Sequence, residues 1–191
     1  MITAILLAAG QSKRLKNENK LIKLFKKKLL INYILSSLIK SKVNKIIIVL
    51  GFEHLKVKKK LLKSKKIKFV INKNYKKGIS SSIKTGLRNL SKDNKGFLIV
   101  QGDMPNITKT TINKIILLIN KSRKEIFLPR FKNRVGNPIG FKKSMIKNIN
   151  KIKGDRGAKN IIKQNSKKIK FVNIYSKSIL TNFNTKKDFS S

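Results

Sequence analysis

Apolar residues in this chain gather into short runs separated by amphipathic stretches, and the two alternate along the whole length. Runs at 2–7, 45–50, 67–71, 96–101, 126–129 and 169–174 have strand length. Ile46-Ile47-Ile48-Val49-Leu50 and Phe97-Leu98-Ile99-Val100 are continuous rather than alternating, as expected of strands covered on both faces. Between the runs, 31–41, 54–64, 79–90, 109–121, 142–150 and 156–165 read as helices. Ser91 to Gly96 clusters polar turn residues and reads as a loop. This alternation predicts a three-layer α/β fold built on a mainly parallel sheet. No internal repeat or long linker divides the chain, so residues 1–191 are expected to form one domain.

The first run ends in Leu7-Ala8-Ala9-Gly10 and passes at once into Gln11-Ser12-Lys13-Arg14, with Asn19-Lys20-Leu21 beyond. Small residues let the backbone approach a ligand, and Gly10 is free to take angles that other residues avoid. Exposed amides with Lys13, Arg14 and Lys20 around them suit a nucleoside triphosphate. The spacing matches neither G-x-x-x-x-G-K-[ST] nor G-x-G-x-x-G, and a tight strand-to-helix turn is the plain alternative. In a parallel sheet, ligands lie at the carboxyl ends of the strands. Gly102-Asp103-Met104-Pro105 follows the fourth run and so belongs to the same edge. A hard cation bridging phosphates needs an anionic oxygen there. Asp103 stands too far before the helix near Thr108 to cap it, which favours the metal role.

Composition narrows the chemistry. There is no cysteine, which excludes disulfides, thiolate nucleophiles and cysteine zinc sites, and the single histidine, His54, reads as a solvated surface residue. Any metal is therefore oxygen-bound, which points to Mg²⁺. No apolar run reaches the length of a membrane span, and the first run reads as a core strand, so a cytoplasmic protein is expected. The net charge is +41, yet only six of the 48 basic residues are arginine and the lysines are spread evenly. That distribution favours a lysine-rich background over a nucleic-acid interface, because base readers and phosphate clamps favour arginine. Only seven acids stand against it (Glu18, Glu53, Asp93, Asp103, Glu125, Asp155 and Asp188), so each is a candidate for a task that lysine cannot perform.

Three further clusters carry polar chemistry. Asn74 to Ile83 follows the third run and opens a helix, where Gly78, Ser81 and Ser82 could hold a base edge or an anion, or simply cap the helix. Gly136-Asn137-Pro138 reads as a turn before a short strand. Gly154-Asp155-Arg156-Gly157-Ala158 puts an acid and an arginine at a helix start, fitting a second anionic substrate or a cap. Near the end, Asn182-Phe183-Asn184-Thr185 with Asp188 offers amide and carboxylate oxygens, with Asp188 most simply a turn residue.

Taken together, these segments resemble MobA-like nucleotidyltransferases, most closely the molybdenum cofactor cytidylyltransferase branch. Leu7 to Arg14, Asn19-Lys20-Leu21, Asn74-Tyr75 with Gly78 and Ser82, Gly102 to Pro105, Gly136 to Pro138, Gly154 to Ala158, and Asn184-Thr185 with Asp188 all fall in register. The resemblance implies a Rossmann-like sheet of the nucleotide-diphospho-sugar transferase type. It implies nucleotide contacts from Leu7, Ala8, Ala9, Gly10, Lys13, Gly78, Ser81, Ser82 and Gly102, and catalytic work by Arg14, Lys20 and Asp103. Asp103 and Asn184 would hold Mg²⁺, and Asn137, Pro138, Asp155 and Arg156 would meet the acceptor. Ala9 marks the branch that tends to use CTP, and the implied acceptor is a phosphorylated pterin, Mo-molybdopterin, with a molybdenum hydroxylase as client. GTP, or a sugar or alcohol phosphate acceptor, is the nearest alternative, and a non-catalytic delivery protein or a nucleic-acid binder the more distant one. Two positions depart from the family: Leu15-Lys16 replaces Met-Gly, and the late D-x-D-T reads Asn182-Phe183-Asn184-Thr185, which implies a weaker hold on Mg²⁺ or loss of activity.

Overall fold

The computed structural model describes residues 1–12, 18–155 and 157–189. In chain order the strands are β1 Ile2–Ala8, β2 Leu24–Phe25, β3 Lys28–Leu29, β4 Lys45–Leu50, β5 Ile67–Ile71, β6 Gly96–Gln101, β7 Ile126–Phe131, β8 Arg134–Val135, β9 Ile139–Lys142 and β10 Ile169–Asn173. The helices are α1 Leu30–Ile39, α2 His54–Lys60, α3 Ile79–Leu87, α4 Lys109–Lys121, α5 Ile146–Ile149 and α6 Lys159–Gln164. Among the described residues, eight strands form one sheet in the order β10-β7-β9-β6-β1-β4-β5, with β8 on β7, and β2 and β3 form a separate hairpin. Pairing of β1 with β4 and β6, of β4 with β5, and of β7 with β10 is parallel. Among the described residues of this sheet, only β9 and the short β8 run against their neighbours.

The continuous apolar runs occupy the centre. All seven residues of β1 are buried, and the alternating side chains feed two cores. Ala4, Leu6 and Ala8 pack with Ile46, Ile48 and Leu98 against Ile31, Leu35 and Leu38 of α1 and Ile112 and Ile115 of α4. Ile5 and Leu7 pack with Ile47, Val49, Phe97 and Ile99 against Ile83 and Leu87 of α3, Ile149 of α5 and Ile161 of α6. Helices therefore cover both faces, and the predicted three-layer, mainly parallel α/β fold is the one observed. Burial of a large aliphatic side chain contributes roughly 1.5–3 kcal/mol, so these two layers dominate stability.

The departures are local. Helix 54–64 stops at Lys60, because Asn32 of α1 donates from Nδ2 to the Lys60 carbonyl at 3.1 Å and accepts the Leu62 amide at 3.3 Å. The amide side chain thus ends the helix from outside. Lys142 ends a strand instead of opening helix 142–150; a single 3-10 turn at 143–145 then leads into α5. Helix 156–165 begins only at Lys159, since Gly154 and Gly157 take positive φ values of 61° and 56° that hold the preceding segment as a loop.

Candidate active site

Parallel pairing sets the geometry of one edge. Leu7 lies opposite Gln101, so β1 and β6 end side by side, and the Gly102 amide donates to the Leu7 carbonyl at 3.1 Å. A Cβ at Gly102 would stand 2.9 Å from that carbonyl, so the close approach requires glycine. Next along the edge, a Cβ at Gly51 would meet both Ala9 and Tyr75 at 2.8 Å. These approaches leave an open cleft of about 390 Å³ lined by Leu7, Ala9, Gly10, Gln11, Ser12, Lys20, Leu21, Tyr75, Lys76, Gly78, Ile79, Ser82, Gln101, Gly102, Asp103 and Asp155.

One end of the first loop is tied across the cleft. The Lys20 amide donates to Ser12 Oγ at 3.1 Å, and Asn19 accepts the Leu21 amide at 3.2 Å, so the turn at Lys20–Ile22 is capped and its lysine directed. The Lys20 ammonium donates to Asp103 Oδ2 at 2.5 Å, Asn184 Oδ1 at 2.7 Å and the Phe183 carbonyl at 2.9 Å. Both charged side chains are largely buried, 16% and 14% exposed, so this pair is less screened than a surface ion pair. Asp103 Oδ1 is buried and has no hydrogen-bond partner among the described residues. A buried carboxylate oxygen left without a donor is costly unless something positive reaches it. Together with the neighbouring amide oxygen of Asn184, it fits the donor chemistry of a hard, oxygen-bound cation that completes its shell with water and phosphate. No cluster of three or more His, Asp or Glu exists among the described residues, so the protein would supply only part of that shell.

The C-terminal segment completes the cluster. The Phe183 amide donates to the Asp103 carbonyl at 2.9 Å, and the Phe183 ring packs with Phe25 and Leu30 in a small third core. Asp188 Oδ2 accepts the Asn184 and Thr185 amides, both at 2.7 Å, and the Thr185 hydroxyl at 3.0 Å. These bonds, the Thr185 amide foremost, hold the Asp188 carboxyl below its usual value of 3.8. Asp188 is the turn residue that its position suggested, and it sets the Asn184 backbone.

Around α3 the first amides are bonded by a neighbouring loop. Asp155 Oδ1 accepts the Ile79 amide at 3.0 Å, and the Gly154 carbonyl accepts the Ser80 amide at 3.1 Å. The 154–155 loop therefore caps α3 from outside, and the first amides of that helix are already bonded. Ser81 Oγ stands within reach of the Asn74 and Gly78 carbonyls, which share its one proton, and accepts from Asn72, while Ser82 Oγ accepts from Asn72 at 3.0 Å. Ser82 lines the cleft and Ser81 does not. Gly78 has φ +92°, and a Cβ there would stand 2.6 Å from Asp155 Oδ1.

Of the residues selected from sequence, Leu7, Ala9, Gly10, Lys20, Gly78, Ser82, Gly102, Asp103 and Asp155 share the cleft. Ala8 faces the core, and Asn184 joins through Lys20. Asn137 and Pro138 do not line the cleft; the Asn137 amide donates to the Ile179 carbonyl, and the bond between the two residues is cis. Lys13, Arg14 and Arg156 lie outside the described residues. The lining also includes Gln11, Ser12, Leu21, Tyr75, Lys76 and Ile79, which fall within marked segments but were assigned no role, and Gln101, which ends the fourth apolar run.

A cleft at the carboxyl edge of this sheet, with cation, carboxylate and amide gathered at one end, is the form of an α/β protein of the nucleotide-diphospho-sugar transferase fold. More narrowly, the chain belongs to the MobA-like NTP transferase family, whose domain matches residues 4–169. Solved structures agree on the fold. Rv0371c of Mycobacterium tuberculosis is 21% identical and superposes with TM-score 0.87 over 99% of this chain and 95% of its own. A complex of the same protein with manganese is 20% identical and gives TM-score 0.75 over 91% and 88%. 4-Diphosphocytidyl-2C-methyl-D-erythritol synthase from Anaerococcus prevotii gives 0.80 at 18% identity over 99% and 92%. CMP:2-keto-3-deoxy-manno-octonic acid synthetase complexed with CTP gives 0.78 at 9% identity over 99% and 95%.

Proposed function

We propose that the chain is a nucleotidyltransferase that moves CMP from CTP to a phosphorylated acceptor, Mo-molybdopterin, with release of pyrophosphate. The observation that carries this reading is the meeting of Lys20, Asp103 and Asn184 at the end of the cleft that the first loop walls. An oxygen of the acceptor phosphate forms a bond to the α-phosphorus as the bond to pyrophosphate breaks, in line, and no protein nucleophile is required. Lys20, with Lys13 and Arg14 of the first loop, neutralises charge on the phosphates and the departing pyrophosphate. Asp103 and Asn184 would hold Mg²⁺, which when bound supplies Lewis acidity toward phosphate oxygens. Asp155, which lines the cleft, and Arg156, Asn137 and Pro138 are assigned to the acceptor by resemblance.

The choice of CTP rests on Ala9 and agrees with the cytidine nucleotides named for two structural neighbours, one of them in complex with CTP. A divalent ion agrees with the manganese complex of Rv0371c. CTP with Mg²⁺ should raise the melting temperature more than GTP, ATP or UTP, by roughly 2.7 kcal/mol of stability at 100 times the dissociation constant. Preference for GTP would overturn the branch. Pyrophosphate release with a sugar or alcohol phosphate, and none with the pterin, would overturn the acceptor. Salt-dependent binding to generic DNA without a nucleotide response would support the nucleic-acid reading instead.

A further inference from the structure

Lys20 commits its ammonium completely. An ammonium has three donors and no acceptor, and Asp103 Oδ2, Asn184 Oδ1 and the Phe183 carbonyl take all three. While these bonds hold, the group that would meet a phosphate has no proton left to offer it. Three converging oxygens, one of them anionic, are also what a hard divalent cation selects. The ammonium and a metal ion are thus rivals for the Asp103 carboxylate and the Asn184 amide oxygen, and like charges at such separations repel strongly in a partly buried site.

We propose that Lys20 is a placeholder for the divalent cation. It holds Asp103 and Asn184 together in the nucleotide-free protein and passes to phosphate oxygens when metal and nucleotide arrive together. The inference rests on the nucleotidyltransferase reading for the identity of the incoming anion, but the competition for oxygens does not. Its consequence is ordered occupancy: the site disfavours bare metal, and the nucleotide removes the obstacle by giving Lys20 another anion. In the same contacts Lys20 ties the segment that follows β6 to the C-terminal segment.

The test is the binding of Mn²⁺ alone to the full chain without nucleotide, followed by the electron spin resonance of the free ion. Lys20→Met and Lys20→Gln should each bind Mn²⁺ at least about tenfold more tightly than the wild type, since a neighbouring positive charge is gone. Both should bind CTP more weakly. The Gln variant keeps amide donors for Asp103 and Asn184, so the comparison survives if the Met variant fails to fold. Adding Asp103→Asn to Lys20→Gln should abolish the gain. A folded Lys20→Gln that binds Mn²⁺ no more tightly than the wild type overturns the placeholder role. If the variants gain Mn²⁺ while CTP with Mg²⁺ fails to stabilise the wild type, the competition stands and the nucleotidyltransferase reading falls.

Discussion

Asp103 works through two oxygens with different neighbours: Oδ2 is paired with Lys20 and Oδ1 is left for an incoming cation. Asp103→Asn keeps the shape and removes the charge, so turnover should fall at least ~100-fold; near-normal turnover at limiting Mg²⁺ would move the metal elsewhere. At Asn184 two effects oppose each other. A carboxylate there would bind Lys20 more tightly, but the Coulomb gain toward a dication is twice that toward an ammonium. Asn184→Asp should therefore lower the Mg²⁺ concentration for half-maximal activity without changing nucleotide preference, and an unmoved midpoint removes Asn184 from the donor set. Asp188 sets a pH dependence. Its carboxyl is depressed in the folded state, so its contribution is complete above the ordinary carboxylate value and disappears as pH falls through the lower folded value. The Asn184 and Thr185 amide resonances should titrate below pH 3.8, and a midpoint at or above 3.8 would count against this cap.

At the level of elements, Phe183 is the buried aromatic anchor of the C-terminal segment, with Phe189 packed against it. Phe183 is 5% exposed and meets Phe25 edge-on at 4.7 Å between ring centres. Phe183→Ala should cost about 3 kcal/mol, the lower end for a buried phenylalanine, because this core is small. Chemical denaturation checks the cost, and an effect near zero would mean that the segment is seated by hydrogen bonds alone. The elements legible in the sequence were those whose pattern is long and local. Strands β4, β5 and β6 and helix α4 have the bounds that their apolar runs marked. Two-residue strands such as β2, β3 and β8 have too few positions to show a period. The end of α2 depends on Asn32, and the insertion of β9 between β6 and β7 depends on pairing that no local window contains. The candidate site divides the same way. Gly102, Asp103 and Lys20 could be picked out by residue type and place on the sheet edge. Their junction spans 83 residues, and that of Lys20 with Asn184 spans 164, so the contact itself was not readable.

For the whole molecule, six of the seven carboxylates have a described ion-pair or hydrogen-bond partner. Glu18, Glu53, Asp103 and Glu125 form ion pairs with Lys23, Lys56, Lys20 and Lys168. Asp155 caps α3 and Asp188 caps the 184–185 turn, while the Asp93 carboxyl is held below its usual value, with the neighbouring Ser91 side chain the leading cause. With a net charge of +41, the lysine excess remains self-repelling over most of the surface. Added salt that shortens the Debye length from about 30 Å to about 8 Å should raise the melting temperature and, in the same series, raise the KM for the nucleotide. A melting temperature that falls with salt would mean that attraction between lysines and carboxylates outweighs the repulsion. Among the described residues no helix is long and apolar enough to cross a membrane.

The late position of Asn184 separates architecture from chemistry along the chain. Every strand of the large sheet lies at or before Asn173, the end of β10. Two of the three oxygens that receive the Lys20 ammonium, the Phe183 carbonyl and the Asn184 amide oxygen, lie beyond it. A cut in the chain just after β10 would therefore leave the sheet its strands and leave Lys20 with one of its three described acceptors.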